Sequence, residues 1–254
     1  SRPGASSLAT FIYSVLPNDT DLSVSLRASK PGYNFAFIGR PGLYHSPKAT
    51  PDRLDQGALQ DMGGQVLALT TALLATQRLP ERTVNATFFD FFGLFLVIYP
   101  PWLGWLMLAA SAAILGWAAH TAGLRGIGAG MGRMLGLIAA SGTALFVFNW
   151  ISGAGPSAEY YDRLAAIPKL EAMAWLAGLG TFFLVYGRAP ASKSQQAGAA
   201  SLLGLLGLGA QIVAPTAAYI FVVPVLIAAL GMWLGRWAAL PGAAACALQN
   251  CSWA

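Results

Sequence analysis

The stretch LYHSPKATPDRLDQGALQDMGG, residues 43–64, carries His45, one of only two histidines in a chain of 254 residues. A neutral imidazole can ligate a metal or move a proton near neutral pH. Either task needs partners. The other histidine, His120, lies far along the chain in an apolar run, and no cluster among Asp19, Asp21, Asp52, Asp55 and Asp61 supplies further ligands together with a separate base. Taken by itself, His45 is therefore either a metal ligand or a surface hydrogen-bonding histidine. Tyr44 reads as a packed loop aromatic and Asp21 as a turn-former, since turns recruit aspartate readily. Cys246 and Cys251, both in the terminal AAACALQNCSWA, give neither a disulfide framework nor zinc-finger spacing.

The elements around His45 follow from periodicity. Leu8, Phe11, Ile12 and Val15 recur at helical spacing, and Pro17 ends that helix. After the polar stretch NDTDLS, the aromatic run YNFAFIG at 33–39 reads as a buried strand ending at glycine. A loop runs from Arg40 to about Leu54. Asp55 then caps a helix carrying Leu59, Met62, Val66, Leu69 and Leu73 on one stripe and ending near Gln77. Helix, strand, loop and helix suggest an α/β layer, in which ligands gather beyond the carboxyl ends of strands. His45 occupies that position.

The rest of the chain is of another kind. Hydrophobic residues make up 56% of the whole and charged residues 10%, against about 25% charged in ordinary soluble domains. Five runs approach the roughly 20 apolar residues that cross a bilayer: 101–119, 134–154, 170–187, 198–214 and 216–235, the last two parted by Pro215. The segment FFDFFGLFLVIYPP at 88–101 is broken by Asp90 and the Pro100-Pro101 pair and reads as an interfacial or re-entrant approach. Arg125 and Arg133, Arg188 and Lys193, and Arg236 fall in alternate loops, which makes those loops cytoplasmic and puts residues 1–88 on the non-cytoplasmic side. That side is periplasm, or a vacuolar or other lumen in a eukaryote. None of the five runs has an ionisable residue in its interior, and Asn149 and Gln211 are their strongest polar groups. An anchoring bundle fits this better than a transporter. The net charge of +5 is scattered rather than gathered in a basic stripe, so nucleic acid is excluded as a partner and the lipid bilayer is implied.

The run from LPNDTDLSV through YNFAFIGRPGLYHSPKATPDRLDQGALQDMGGQVLALTTALL resembles the C-terminal part of the catalytic domain in the zinc aminopeptidase family related to aminopeptidase Y. The likeness is to its membrane-bound branch, the fungal vacuolar membrane proteases and their bacterial relatives, and covers about residues 2–79. It implies a partial α/β zinc-aminopeptidase-like domain followed by an all-α multi-span transmembrane bundle, and a peptide substrate. It also implies that His45 is the last ligand of a two-zinc site, that Tyr44 stabilises the oxyanion of the tetrahedral intermediate, and that Asp21 orients groups without binding metal. Paired zinc ions would activate water for peptide-bond hydrolysis beside a free amino terminus, with a glutamate as general base.

The expected organisation is 1–80 as the C-terminal part of the peptidase domain, 81–100 as linker and interfacial segment, 101–236 as about five helices, and 237–254 as a tail. The remaining ligands and the base are expected upstream of Ser1, in a parent chain of which this is a fragment inactive alone. One departure stands out. Where the family commonly has aspartate four residues after the zinc histidine, this chain has Ala49, beside Lys48. That residue favours the alternative of a non-catalytic, peptidase-like binding or structural membrane protein; a glutaminyl-cyclase-like zinc acyltransferase is the other.

Overall fold

A computed structural model describes residues 5–16, 20–30, 32–36, 43, 47–80, 84–122, 124–152, 159–187 and 191–234. Contacts divide the chain into two units, 1–100 and 101–254.

In the first unit, α1 spans Ser7–Val15 and ends at Leu16, just before Pro17. The Ser6 side chain accepts from the Leu8 N–H at its start, supplying one of the acceptors that a helix N-terminus lacks. The polar stretch after it is a helix, α2, Asp21–Arg27. Thr20 stands at its N-cap, with Asp21 in the first turn and Arg27 in the last, each complementing the helix dipole. The Tyr13 and Thr20 hydroxyls are hydrogen-bonded, tying α1 to the start of α2.

After a 3-10 turn at Pro51–Arg53, α3 runs Gln56–Leu74 with Asp55 as N-cap, its Oδ1 accepting from the Ala58 N–H at 3.0 Å. This matches the cap and stripe expected from sequence. Asp55→Ala should cost about 1 kcal/mol of α3 stability, read as faster amide exchange in the first turn; unchanged exchange at Ala58 would show that the cap contributes nothing. No residue of α3 is buried, and Leu59 and Val66 of its apolar stripe stay exposed.

The strand expected at 33–39 is not found in its described part. Residues 32–36 form neither helix nor strand, no strand among the described residues pairs with them, and Tyr33 and Phe35 are exposed. Aromatic content favours a strand only where a neighbouring ladder and a packed face receive it. The described part of this unit accordingly shows helices and one antiparallel hairpin, with no α/β layer.

That hairpin forms where an interfacial or re-entrant segment was expected. Strand β1, Thr87–Phe91, pairs with β2, Phe95–Tyr99, in the register Thr87↔Tyr99 to Phe91↔Phe95. The three-residue turn holds Phe92 and Gly93 at positive φ, 52° and 71°, and Asp90 Oδ2 accepts from the Gly93 N–H at 2.7 Å. Glycine takes that conformation without a Cβ penalty. Phe91 and Phe95 stack across the turn with centroids 5.1 Å apart. The outer edge of β1 is met by α1: Ser7 Oγ donates to the Phe88 carbonyl at 2.9 Å and accepts from its N–H at 3.0 Å, while Ser6 bridges Phe89. A strand edge otherwise offers unpaired backbone groups.

Among its described residues the second unit has five helices: α4 Leu103–Ala122, α5 Leu124–Ile151, α6 Tyr160–Tyr186, α7 Lys193–Val213 and α8 Tyr219–Leu234. Three of them, α4, α5 and α7, are long and apolar enough to cross a membrane, which makes this a membrane protein. Helix α8 is apolar but only 16 residues long. Helix α6 carries Asp162, Arg163, Lys169 and Glu171 around Pro168, so its N-terminal half is polar where the third predicted run begins. Helix α7 packs against α4, α5 and α8, and the buried cores join Leu115, Ala197, Ala200, Val225 and Ala229, and Leu108, Ala218 and Val222.

Helix α5 starts ten residues before the predicted run at 134. Arg125 and Arg133 are therefore helical residues rather than loop charges, because GLRGIGAGMGR reads as a loop by its glycines yet those glycines are what permit close helix packing. The orientation argument loses two of its loop charges.

Candidate functional site

The sequence-derived site lies in the first unit. Tyr44 and His45 fall outside the described residues. Asp21 is exposed in the first turn of α2, where its visible task is at the helix N-terminus. Among the described residues no three His, Cys, Asp or Glu side chains come together to hold a metal. His120 sits in the last turn of α4, in the other unit.

Leu43, the residue before Tyr44 in sequence, borders an open hollow of ≈ 580 Å³ whose other walls are Asp52, Arg53, Leu54 and the start of α3 from Asp55 to Gly57. Asp55 is occupied there as the helix cap. Ala49 is exposed, and the Thr50 N–H donates to the Lys48 carbonyl at 3.0 Å, shaping the chain just after His45. An alanine methyl offers no acceptor to orient an imidazole. The described residues thus do not complete a zinc site, which takes at least three protein ligands.

Two polar constellations in the helical unit are more fully built. Gln211, 2% exposed, donates from Nε2 to the Pro101 carbonyl at 2.8 Å. Gly104 makes room for it: a Cβ there would collide with the Gln211 amide. This pins the C-terminal part of α7 to the entry of α4. Asn149, by contrast, is only half-buried near the end of α5.

The second centres on Arg133, which sequence reasoning placed in a loop. Its Nη2 donates to the Val185 carbonyl at 2.9 Å and its Nη1 to Gln195 Oε1 at 3.2 Å, with the guanidinium carbon 4.7 Å from the centroid of the Tyr186 ring. Val185 belongs to the last turn of α6, where carbonyls lack intrahelical partners and a cation complements the dipole. Gln195 Oε1 also accepts from the Ser192 N–H at 3.1 Å, closing the capping box of α7. One guanidinium on α5 therefore joins the end of α6 to the start of α7. Tyr186 stacks on Phe182 at 5.3 Å, and its buried hydroxyl has no hydrogen-bond partner among the described residues. The signal available in sequence was an arginine inside a run of glycines spaced for helix packing, GIGAGMGR.

The chain is 32% identical over 110 residues to human endoplasmic reticulum metallopeptidase 1, covering 41% of this chain and 12% of that protein. It is 34% identical over 91 residues to the putative endoplasmic reticulum metallopeptidase 1-B of Caenorhabditis elegans, covering 34% of this chain and 10% of the other. The mouse endoplasmic reticulum metallopeptidase 1 matches at 30% over 110 residues. The chain thus spans about a tenth of the length of the curated relatives it matches. No family model matches it, and no solved structure does. The chain is similar to metallopeptidases and carries three helices long and apolar enough to cross a membrane.

Proposed function

We propose that this chain is the C-terminal part of a membrane-anchored zinc metallopeptidase of aminopeptidase type. In this reading residues 1–80 belong to the peptidase domain, and residues 1–88 lie on the non-cytoplasmic side. The observation that carries it is the likeness to metallopeptidases from human and worm; the narrower aminopeptidase type rests on the sequence resemblance around Tyr44 and His45. His45 supplies one zinc ligand, Tyr44 a donor to the developing oxyanion, and Asp21 orientation of neighbouring groups. The other ligands and the general base come from upstream of Ser1 in a longer parent chain. Bound zinc would supply an activated water at neutral pH.

The full-length protein is expected to hydrolyse an aminoacyl-anilide, to lose that activity on chelation and to regain it with zinc. Residues 1–254 alone are expected to be inactive. Hydrolysis by the isolated chain, or chelator-resistant activity of the whole protein, overturns the assignment. Ala49 favours a second reading, a non-catalytic peptidase-like module. A full-length protein that folds but holds no zinc would select it.

A further inference from the structure

An apolar slot of ≈ 620 Å³ runs through the helical unit. Helix α4 lines it from Trp105 to Ala119, α5 contributes Met131, α7 Gly204 and Leu208, and α8 Val225. It exists because α7 packs against both α4 and α5 while those two meet only sparsely, leaving a cleft with α7 as its floor. Leu108, Ser111, Leu115 and Val225 in the lining are buried, whereas Trp105, Leu205 and Leu208 at the rim are exposed. The slot therefore opens sideways.

We propose that this slot holds one acyl chain of a bilayer phospholipid. Its chemistry selects hydrocarbon. The two hydroxyls in the lining are already engaged with their own helices, Ser111 Oγ donating to the Met107 carbonyl at 2.7 Å and Ser201 Oγ to the Ala197 carbonyl at 2.8 Å. Water held there would lack the two to four polar partners a buried water needs. The walls α4, α5 and α7 are the three helices suited to crossing a membrane, so the medium beside the opening is lipid.

Dimensions select a chain over a helix. From Trp105 to Ala119 is fourteen steps along the α-helix, about 21 Å at a rise of about 1.5 Å per residue. One leaflet of a hydrocarbon core of about 30 Å is about 15 Å deep, so a chain that fills a leaflet fits lengthwise. The volume over that length gives a mean cross-section of about 30 Å², whereas a helix about 10 Å across needs about 80 Å². A helix of a second copy is too thick to be enclosed there as an acyl chain can be.

The test uses the full-length protein in phosphatidylcholine nanodiscs doped with phosphatidylcholine that carries a diazirine at the end of one acyl chain. After photolysis, peptides holding Ala112–Gly116 and Leu205–Leu208 are expected to be labelled at least fivefold more than the exposed α5 face at Leu135 and Ile138. Equal labelling of the two sets overturns the proposal, and this comparison stands without any variant. A Cβ at Gly116 meets nothing within 4 Å, and the same holds for Gly136 on α5. Gly116→Leu should fill the slot and cut its labelling at least fivefold, and Gly136→Leu should leave it unchanged. Labelling indifferent to Gly116→Leu, or a slot that cross-links to a second copy in place of lipid, also rejects it. None of this depends on the peptidase reading.

Discussion

Replacing Gly130 with leucine is expected to destabilise the helical unit by about 3 kcal/mol or more, at the upper end of what overpacking costs, while Gly128→Leu on the same helix leaves it nearly unchanged. The two glycines stand two residues apart and face different surroundings. A Cβ at Gly130 would fall inside the Gln195 carbonyl, and one at Gly126 would meet the Ser194 hydroxyl. From the other side, a Cβ at Gly198 on α7 would fall inside the Ile127 carbonyl of α5. The obstacle at Gly130 and Gly198 is backbone, which cannot rotate away as a side chain can. At Gly128 and Gly132 a Cβ meets nothing within 4 Å. Association of helices in lipid rests on such close approach, because lipid tails are as apolar as leucine and burial alone drives little. Leucine at 130 must push α7 outward, and that movement also takes Gln195 away from Arg133, removing the acceptor of Nη1. Thermal unfolding in detergent with both variants decides it: equal stability of Gly130→Leu and Gly128→Leu would mean that the crossing is not close there.

How much of this was readable from sequence depends on how local the cause was. The α1 stripe, the Asp55 cap and the α3 stripe depend on neighbours within a few positions, and they appear where expected. The long apolar runs likewise mark helices, although their ends are set by packing. Helix α5 extends back through Gly126, Gly128, Gly130 and Gly132 because the face of α7 rewards close contact, a partner 60 or more residues away that no window contains. The hairpin hid in plain composition. Six aromatic residues from Phe88 to Tyr99 mask any alternation, and the remaining clue was Gly93 set between two strand-prone runs. The reading of 33–39 failed for the converse reason, since strand propensity there finds no described ladder to join. Helix α2 was missed because NDTDLS looks like a turn unless Asp21 and Arg27 are weighed as opposite ends of one dipole. For the proposed metal site, residue type and place in the chain suggested His45 as a candidate, and only family likeness separated its proposed role from that of Tyr44.

His45→Ala in the full-length protein is expected to remove zinc from one of two sites and to lower kcat/KM on an aminoacyl-anilide by more than about 100-fold, since losing even an outer partner of a ligand typically costs about 10- to 100-fold. The argument is one of ligand number. A catalytic zinc is held by three protein ligands with one open position, and removing an imidazole leaves two, too few to fix the ion. Tyr44→Phe separates the neighbouring role, because losing a phenol that only donates to an oxyanion should lower kcat and leave the zinc content intact; donors of that kind are worth about 10²- to 10³-fold in kcat. Ala49→Asp completes the set. If an acceptor at 49 orients the His45 ring, supplying one should tighten zinc by up to about 10- to 100-fold without raising the number of ions bound. Metal analysis and kinetics on the three variants read different quantities, so a general folding defect cannot imitate the pattern: it would lower zinc and activity together in all of them. Full zinc and full activity in His45→Ala would remove it from the ligand set, and with it the link between the LYHSPKAT loop and the chemistry of the metallopeptidases this chain resembles.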